Sequence, residues 1–72
     1  MEHATEELIE AKRQIDSTIH KLRQTIRTLQ AKEKPDRYKS QITLAERRIK
    51  AFEIANDLID KEIANRDKEE TS

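Results

Sequence analysis

The chain has 72 residues, of which 42% are charged and 33% apolar, and it contains no cysteine and no glycine. A domain this small usually needs disulfides, a bound metal, oligomerisation or very regular helix packing to be stable, and the absence of cysteine removes the first of these. No apolar run approaches the roughly 20 residues of a membrane span, and the acidic start lacks the basic flank and apolar stretch of a signal peptide. We therefore expect a cytoplasmic protein without a membrane span.

The first half of the chain carries an apolar repeat with helical spacing. Its positions are Leu8, Ile15, Ile19, Leu22, Ile26 and Leu29. Alternating steps of four and three residues are typical of a helix that packs one apolar stripe against a neighbour. The adjacent row of the same helix holds small residues, whose size lets another helix come close: Ala4, Ala11, Thr18 and Thr25. The pattern predicts a helix over about residues 4–33.

Pro35 is the only strong helix breaker in the chain. A proline inside a helix costs roughly 3 kcal/mol, because it removes a backbone donor and its ring clashes with the preceding turn. The apolar repeat also shifts by two residues across Pro35, which favours a turn over one long kinked helix. Asp36 then suits a helix start. We predict a turn over about residues 34–37.

The second helix is predicted over about residues 37–67, followed by a frayed tail over 68–72. Its share of the intrachain seam is Ile42, Ala45, Ile49, Phe52, Asn56, Ile59 and Ile63. The two stripes predict an all-α, coiled-coil-like antiparallel hairpin in which the numbers of opposed residues sum to about 71.

Two polar residues interrupt the predicted seam. Lys12 lies opposite Ile59, where its stem can follow the seam while its ammonium stays in water. If the numbers of opposed residues summed to two or three less than 71, Lys12 would instead lie beside Asn56. A polar residue inside a seam lowers stability but can fix the register and the oligomeric state, and Asn56 is a candidate for this role. The alternative is that Asn56 lies half-exposed at the edge of the seam.

A second apolar row runs along the second helix and points away from the seam. It consists of Leu44, Ala51, Ile54, Ala55 and Leu58. A two-helix contact cannot cover both rows, and regular spacing over about four turns favours an interface over scattered surface leucines. We expect the hairpin to dimerise into a four-helix bundle; a different protein bound to this row, with the chain as a subunit or small inhibitor, stays open.

The net charge of zero conceals a strong asymmetry. Residues 21–50 carry ten basic and three acidic side chains, a charge of +7, whereas residues 1–20 and 51–72 carry −3 and −4. Folding the chain at its midpoint therefore makes the turn half positive and the open end negative. Two copies should prefer to lie head to tail, since that sets opposite charges side by side.

Five basic residues of the turn half form a candidate patch for an anionic partner. They are Arg23, Arg27, Arg47, Arg48 and Lys50. Basic clusters are typical of nucleic-acid-binding proteins. Against that reading, Glu46 and Lys50 have the spacing of a helical ion pair, and Tyr38 is the only aromatic residue nearby. Nucleic acid is therefore the alternative partner.

No residue pattern indicates catalysis. His3 and His20 lack the glutamate three residues earlier that di-iron bundles use, and a chain without glycine offers no phosphate-binding loop. We predict no enzyme activity, no cofactor and no metal. The sequence favours a small interaction or regulatory module that acts through helix surfaces as a homodimer, with a nucleic-acid-binding helical bundle as the alternative.

Overall fold

The computed structural model describes residues 3–71, and the side chains of residues 3–67. It contains helix α1 (Thr5–Gln30), a short 3₁₀ helix (Pro35–Tyr38) and helix α2 (Lys39–Thr71), and no strand among the described residues. The long helices pack against each other in an elongated molecule of 57 × 20 × 15 Å. The predicted all-α fold with two packed helices is confirmed.

Helix α1 begins with acidic residues in its first turn. The backbone N–H of Ala4, the residue before the helix, donates a hydrogen bond of 2.9 Å to Oε1 of Glu7. Glu6 and Glu7 also lie at the positive end of the helix dipole, where a carboxylate is favourable. These interactions stabilise a helix start one residue after the predicted one.

Helix α1 ends at Gln30, three residues before its predicted end. The N–H of Ala31 still donates to the carbonyl of Arg27, at 3.1 Å, and the helix stops there. The cause is Pro35: its ring would clash with the carbonyl four residues earlier, and it pushes the preceding residue out of the helical region. Lys34 accordingly has φ −126° and ψ 76°.

Helix α2 is longer than expected. It begins at Lys39, after the 3₁₀ helix that Pro35 opens, and its backbone continues to Thr71. The predicted frayed tail covers residues 68–72; four of these residues, 68–71, are helical, and Ser72 lies outside the described residues. The chain has no glycine and no second proline, so nothing in its sequence after Pro35 breaks a helix.

The core of the hairpin is one layer thick. Its buried apolar residues are Ile19, Ala45 and Ile49, at 6 to 8% exposure, and Asn56 is buried with them. The other predicted seam residues are half-buried: Leu8, Ile15, Leu22, Ile26, Leu29, Ile42, Phe52, Ile59 and Ile63. A helix pair covers only one side of each helix, so these side chains keep an exposed edge. Truncating Phe52 should therefore cost less than the about 3 to 5 kcal/mol of a fully buried phenylalanine.

Two polar contacts across the hairpin define its register. Lys12 Nζ lies 3.2 Å from Asp60 Oδ2, and Asn56 Nδ2 donates to Asp16 Oδ1 at 2.6 Å. In both pairs the residue numbers sum to 72, against the predicted value of about 71. Lys12 therefore pairs with Asp60 and not with Asn56, as the shorter register would require.

Candidate interaction surfaces

The second apolar row, which we call the α2 apolar row, consists of Leu44, Ala51, Ile54, Ala55 and Leu58. Its three large side chains are the most exposed large apolar residues of α2: Leu44 at 51%, Ile54 at 50% and Leu58 at 61%. Ala51 is exposed and Ala55 is half-buried. At about 100° per residue, the centre of the row lies roughly 140° around α2 from the seam, so most of it faces away from α1.

Ile9 is the remaining exposed large apolar residue of the described part, at 45%. It lies on α1 and belongs to no apolar row. The residue one turn before it is Glu6 and the residue two turns after it is Asp16, and both are charged. A single exposed isoleucine is common on protein surfaces and indicates no interface. Ile9 therefore offers an internal comparison for the α2 apolar row.

A polar cluster joins the two helices on one side of the hairpin. Lys12 Nζ lies between two carboxylates, 3.2 Å from Asp60 Oδ2 and 3.9 Å from Asp16 Oδ2. Asp16 also accepts the amide hydrogen bond of Asn56. The amide oxygen of Asn56 is buried and has no hydrogen-bond partner among the described residues. Asn56 is thus an internal seam residue rather than a half-exposed one.

The partners of Asn56 and Lys12 were not predicted from the sequence. Asp16 follows the seam position Ile15, and Asp60 follows Ile59. A carboxylate one residue outside the apolar stripe can reach over its edge to a polar group inside it. This adjacency is the signal that the sequence offered.

An open groove lies beside the polar cluster. In addition to the cluster residues and Ile19 and Ile54, it is lined by His20, Arg23, Lys50, Glu53 and Asp57. The lining carries charges of both signs, so it has no clear preference for an anionic or a cationic ligand. Within the described part of the chain, no three histidine or acidic side chains are grouped as metal ligands.

Three of the five residues of the basic patch line depressions of the surface. Arg23 and Lys50 line the groove, and Arg23 lies 3.8 Å from Glu53 of the opposite helix. Arg47 instead lies with Leu44 around a shallow depression at the start of α2. Among residues 3–67, only Arg23 of the five makes an ion pair within 4.0 Å; no such pair is found for Arg27, Arg47, Arg48 or Lys50.

Arg66 ties the open end together, a role that sequence reasoning missed. Its guanidinium donates to Glu62 Oε1 at 3.0 Å, to Thr5 Oγ1 at 3.3 Å and to the backbone carbonyl of His3. The Glu62–Arg66 pair has the spacing of a helical ion pair, but the contacts to α1 depend on the hairpin register.

Comparison with known proteins adds no relative. No family model matches the chain, and neither a curated protein nor a solved structure shows significant similarity to it. The helices of the described part contain no stretch that is both long and apolar enough to cross a membrane. Any functional conclusion therefore depends on the surfaces described above.

Proposed function

We propose that this chain is a small non-enzymatic interaction module that acts through helix surfaces and binds a second copy of itself. The observation that carries the proposal is the α2 apolar row, whose large side chains are half or more exposed in the single hairpin. Completing the burial of a half-exposed leucine contributes on the order of 1 kcal/mol, and a symmetric dimer covers the row twice.

The thin core supports the same proposal. Among residues 3–67, three apolar side chains are buried, whereas nine further seam residues keep an exposed edge. A second hairpin laid against the first would cover these edges together with the α2 apolar row. The resulting assembly is a four-helix bundle, in which apolar stripes of all four helices face one core.

The proposal predicts a dimer at micromolar concentration that depends on Leu58. Replacing Leu58 by alanine should weaken association by about tenfold or more, because a large side chain is lost from the interface, while helix content changes little. Light scattering after gel filtration measures the mass over a dilution series, and circular dichroism measures the helix content.

The matched control is Ile9→Ala, which removes an exposed side chain of similar size outside the α2 apolar row. It should leave the dimer constant unchanged. A wild-type monomer that melts cooperatively at low micromolar concentration would show that the row is not a self-interface.

A second candidate function is nucleic-acid binding through the basic turn half. It is favoured by the unpaired state of Arg27, Arg47, Arg48 and Lys50 within the described part. Binding of this kind weakens steeply with salt, because each neutralised phosphate releases counterions. Titration of a labelled RNA or DNA at several salt concentrations distinguishes the two functions, since burial of apolar side chains depends little on salt.

A further inference from the structure

We infer that the second copy lies head to tail on the first, with α2 antiparallel to the partner's α2 and the twofold axis at the level of Ala51. The inference rests on the proposed homodimer and specifies its geometry. Three features support it: the spacing of the α2 apolar row, the surface of α1 at the same level, and the distribution of formal charge between the turn half and the open end.

Three residues of the α2 apolar row, Leu44, Ala51 and Leu58, are placed symmetrically along α2, whereas Ile54 and Ala55 have no apolar counterpart on the other side of Ala51. Leu44 and Leu58 each lie seven residues, two helical turns, from Ala51. In an antiparallel pair of α2 helices centred on Ala51, Leu44 is level with the partner's Leu58, and the small Ala51 side chains meet at the axis. A twofold interface must be self-complementary in this way, because each patch contacts the same patch of the other copy.

Helix α1 has a matching centre. Because opposed residue numbers in the hairpin sum to 72, Ala51 is level with Lys21, which lies three residues after Thr18 and four before Thr25. Both threonines are exposed, and helical periodicity places them on the side of α1 opposite Asp16 and the polar groove. Leu44 and Ala55, the row residues nearest the seam, also lie on the side of the hairpin away from the groove. One face of the hairpin therefore combines Leu44, Ala51 and Ala55 of the row with two small side chains, whereas Ile54 lies at the groove.

These threonines can be covered by another helix at little cost. Thr18 Oγ1 donates to the carbonyl of Gln14 at 2.9 Å, and Thr25 Oγ1 donates to the carbonyl of Lys21 at 3.1 Å. Their hydroxyl groups are thus satisfied by their own helix, and covering them leaves no unpaired donor. Their short side chains permit the close approach that a helix pair requires.

Charge selects the head-to-tail arrangement. It sets the +7 turn half of each copy beside the −7 open end of the other, whereas a parallel arrangement sets like charges together. Arg47 has no intrachain ion pair among the described residues. Measured along the helix axis, it would lie within about 3 Å of the partner's Asp57. Exposed charges are screened beyond roughly 8 Å, so this effect fixes orientation more than affinity.

Spin labels on single cysteines test the geometry, since the chain has no native cysteine. Ser40→Cys and Glu62→Cys place labels eleven residues on either side of Ala51 at exposed polar positions. In a dimer labelled at one position, pulsed dipolar spectroscopy measures one distance between the two copies. This distance should be about 33 Å, or 22 residues of helical rise, and should be the same for both positions. A mixture of the two labelled proteins should add a distance within about 20 Å, since the two labels are then level on adjacent helices.

The opposite result, with short distances in each singly labelled dimer and a long one in the mixture, would show a parallel pair. Two unequal distances would place the axis away from Ala51. Either outcome overturns this geometry but leaves the homodimer intact. A monomeric mass by light scattering would instead refute the homodimer itself, and this geometry with it.

Discussion

Replacing Ile49 by alanine is expected to lower the free energy of unfolding by about 2 to 5 kcal/mol, the usual cost of emptying a buried aliphatic site. Ile49 is 8% exposed and is one of three buried apolar residues, within the part of the chain whose side chains are described, in a core one layer thick. Such a core has no second layer of side chains that could move into the cavity. Urea unfolding followed by circular dichroism, at one fixed protein concentration, measures the change.

The matched control is Ile9→Ala, which removes the same atoms from a side chain that is 45% exposed and lies outside the α2 apolar row. It should cost less than about 1 kcal/mol. Equal losses for the two variants would mean that Ile49 is not a core residue of the folded protein.

Replacing Asn56 by aspartate should destabilise the hairpin by about 3 to 5 kcal/mol at neutral pH, the usual cost of an uncompensated buried charge. Asn56 is 6% exposed, and its amide nitrogen lies 2.6 Å from Oδ1 of Asp16. The variant exchanges this donor for a second carboxylate, so that a hydrogen bond becomes a repulsion between a buried carboxylate and that of Asp16, which is exposed. Thermal or urea unfolding of both proteins at matched concentration measures the difference.

The penalty should depend on pH in a defined direction. Protonation of either carboxyl group removes the repulsion and restores a hydrogen bond, and the folded variant therefore binds a proton more readily than the unfolded chain. Its stability relative to wild type should rise as the pH falls from neutral to about 4. Asn65→Asp makes the same charge change at an exposed position of α2 and should show little of either effect. Similar behaviour of the two variants would contradict the assignment of Asn56 to the core.

The sequence predicted those parts of the fold that depend on spacing. A stripe repeated every seven residues specifies which side of a helix is apolar, and Pro35 specifies where the chain must turn. The end of α1 was placed too late because the proline was treated as the breaker itself. Its ring and its effect on Lys34 act up to four residues upstream.

The polar contacts were harder to predict because they depend on side-chain reach across the hairpin. Periodicity placed Asn56 in the seam but could not show that Asp16, outside the stripe, would accept its hydrogen bond. The basic patch was grouped by its position in the chain. In the folded hairpin Arg23 is already paired with Glu53, and Arg47 lies beside the α2 apolar row instead.

The contacts of Arg66 have a consequence for how the hairpin opens. Its guanidinium, on α2, donates hydrogen bonds to the His3 carbonyl and the Thr5 hydroxyl. These bonds join the two ends of the chain at the end of the hairpin opposite the turn. Fraying of the first turn of α1 and of the last turns of α2 then becomes one shared event rather than two independent ones. Backbone amides at both ends should exchange with solvent at coupled rates, and removal of a single side chain would uncouple them.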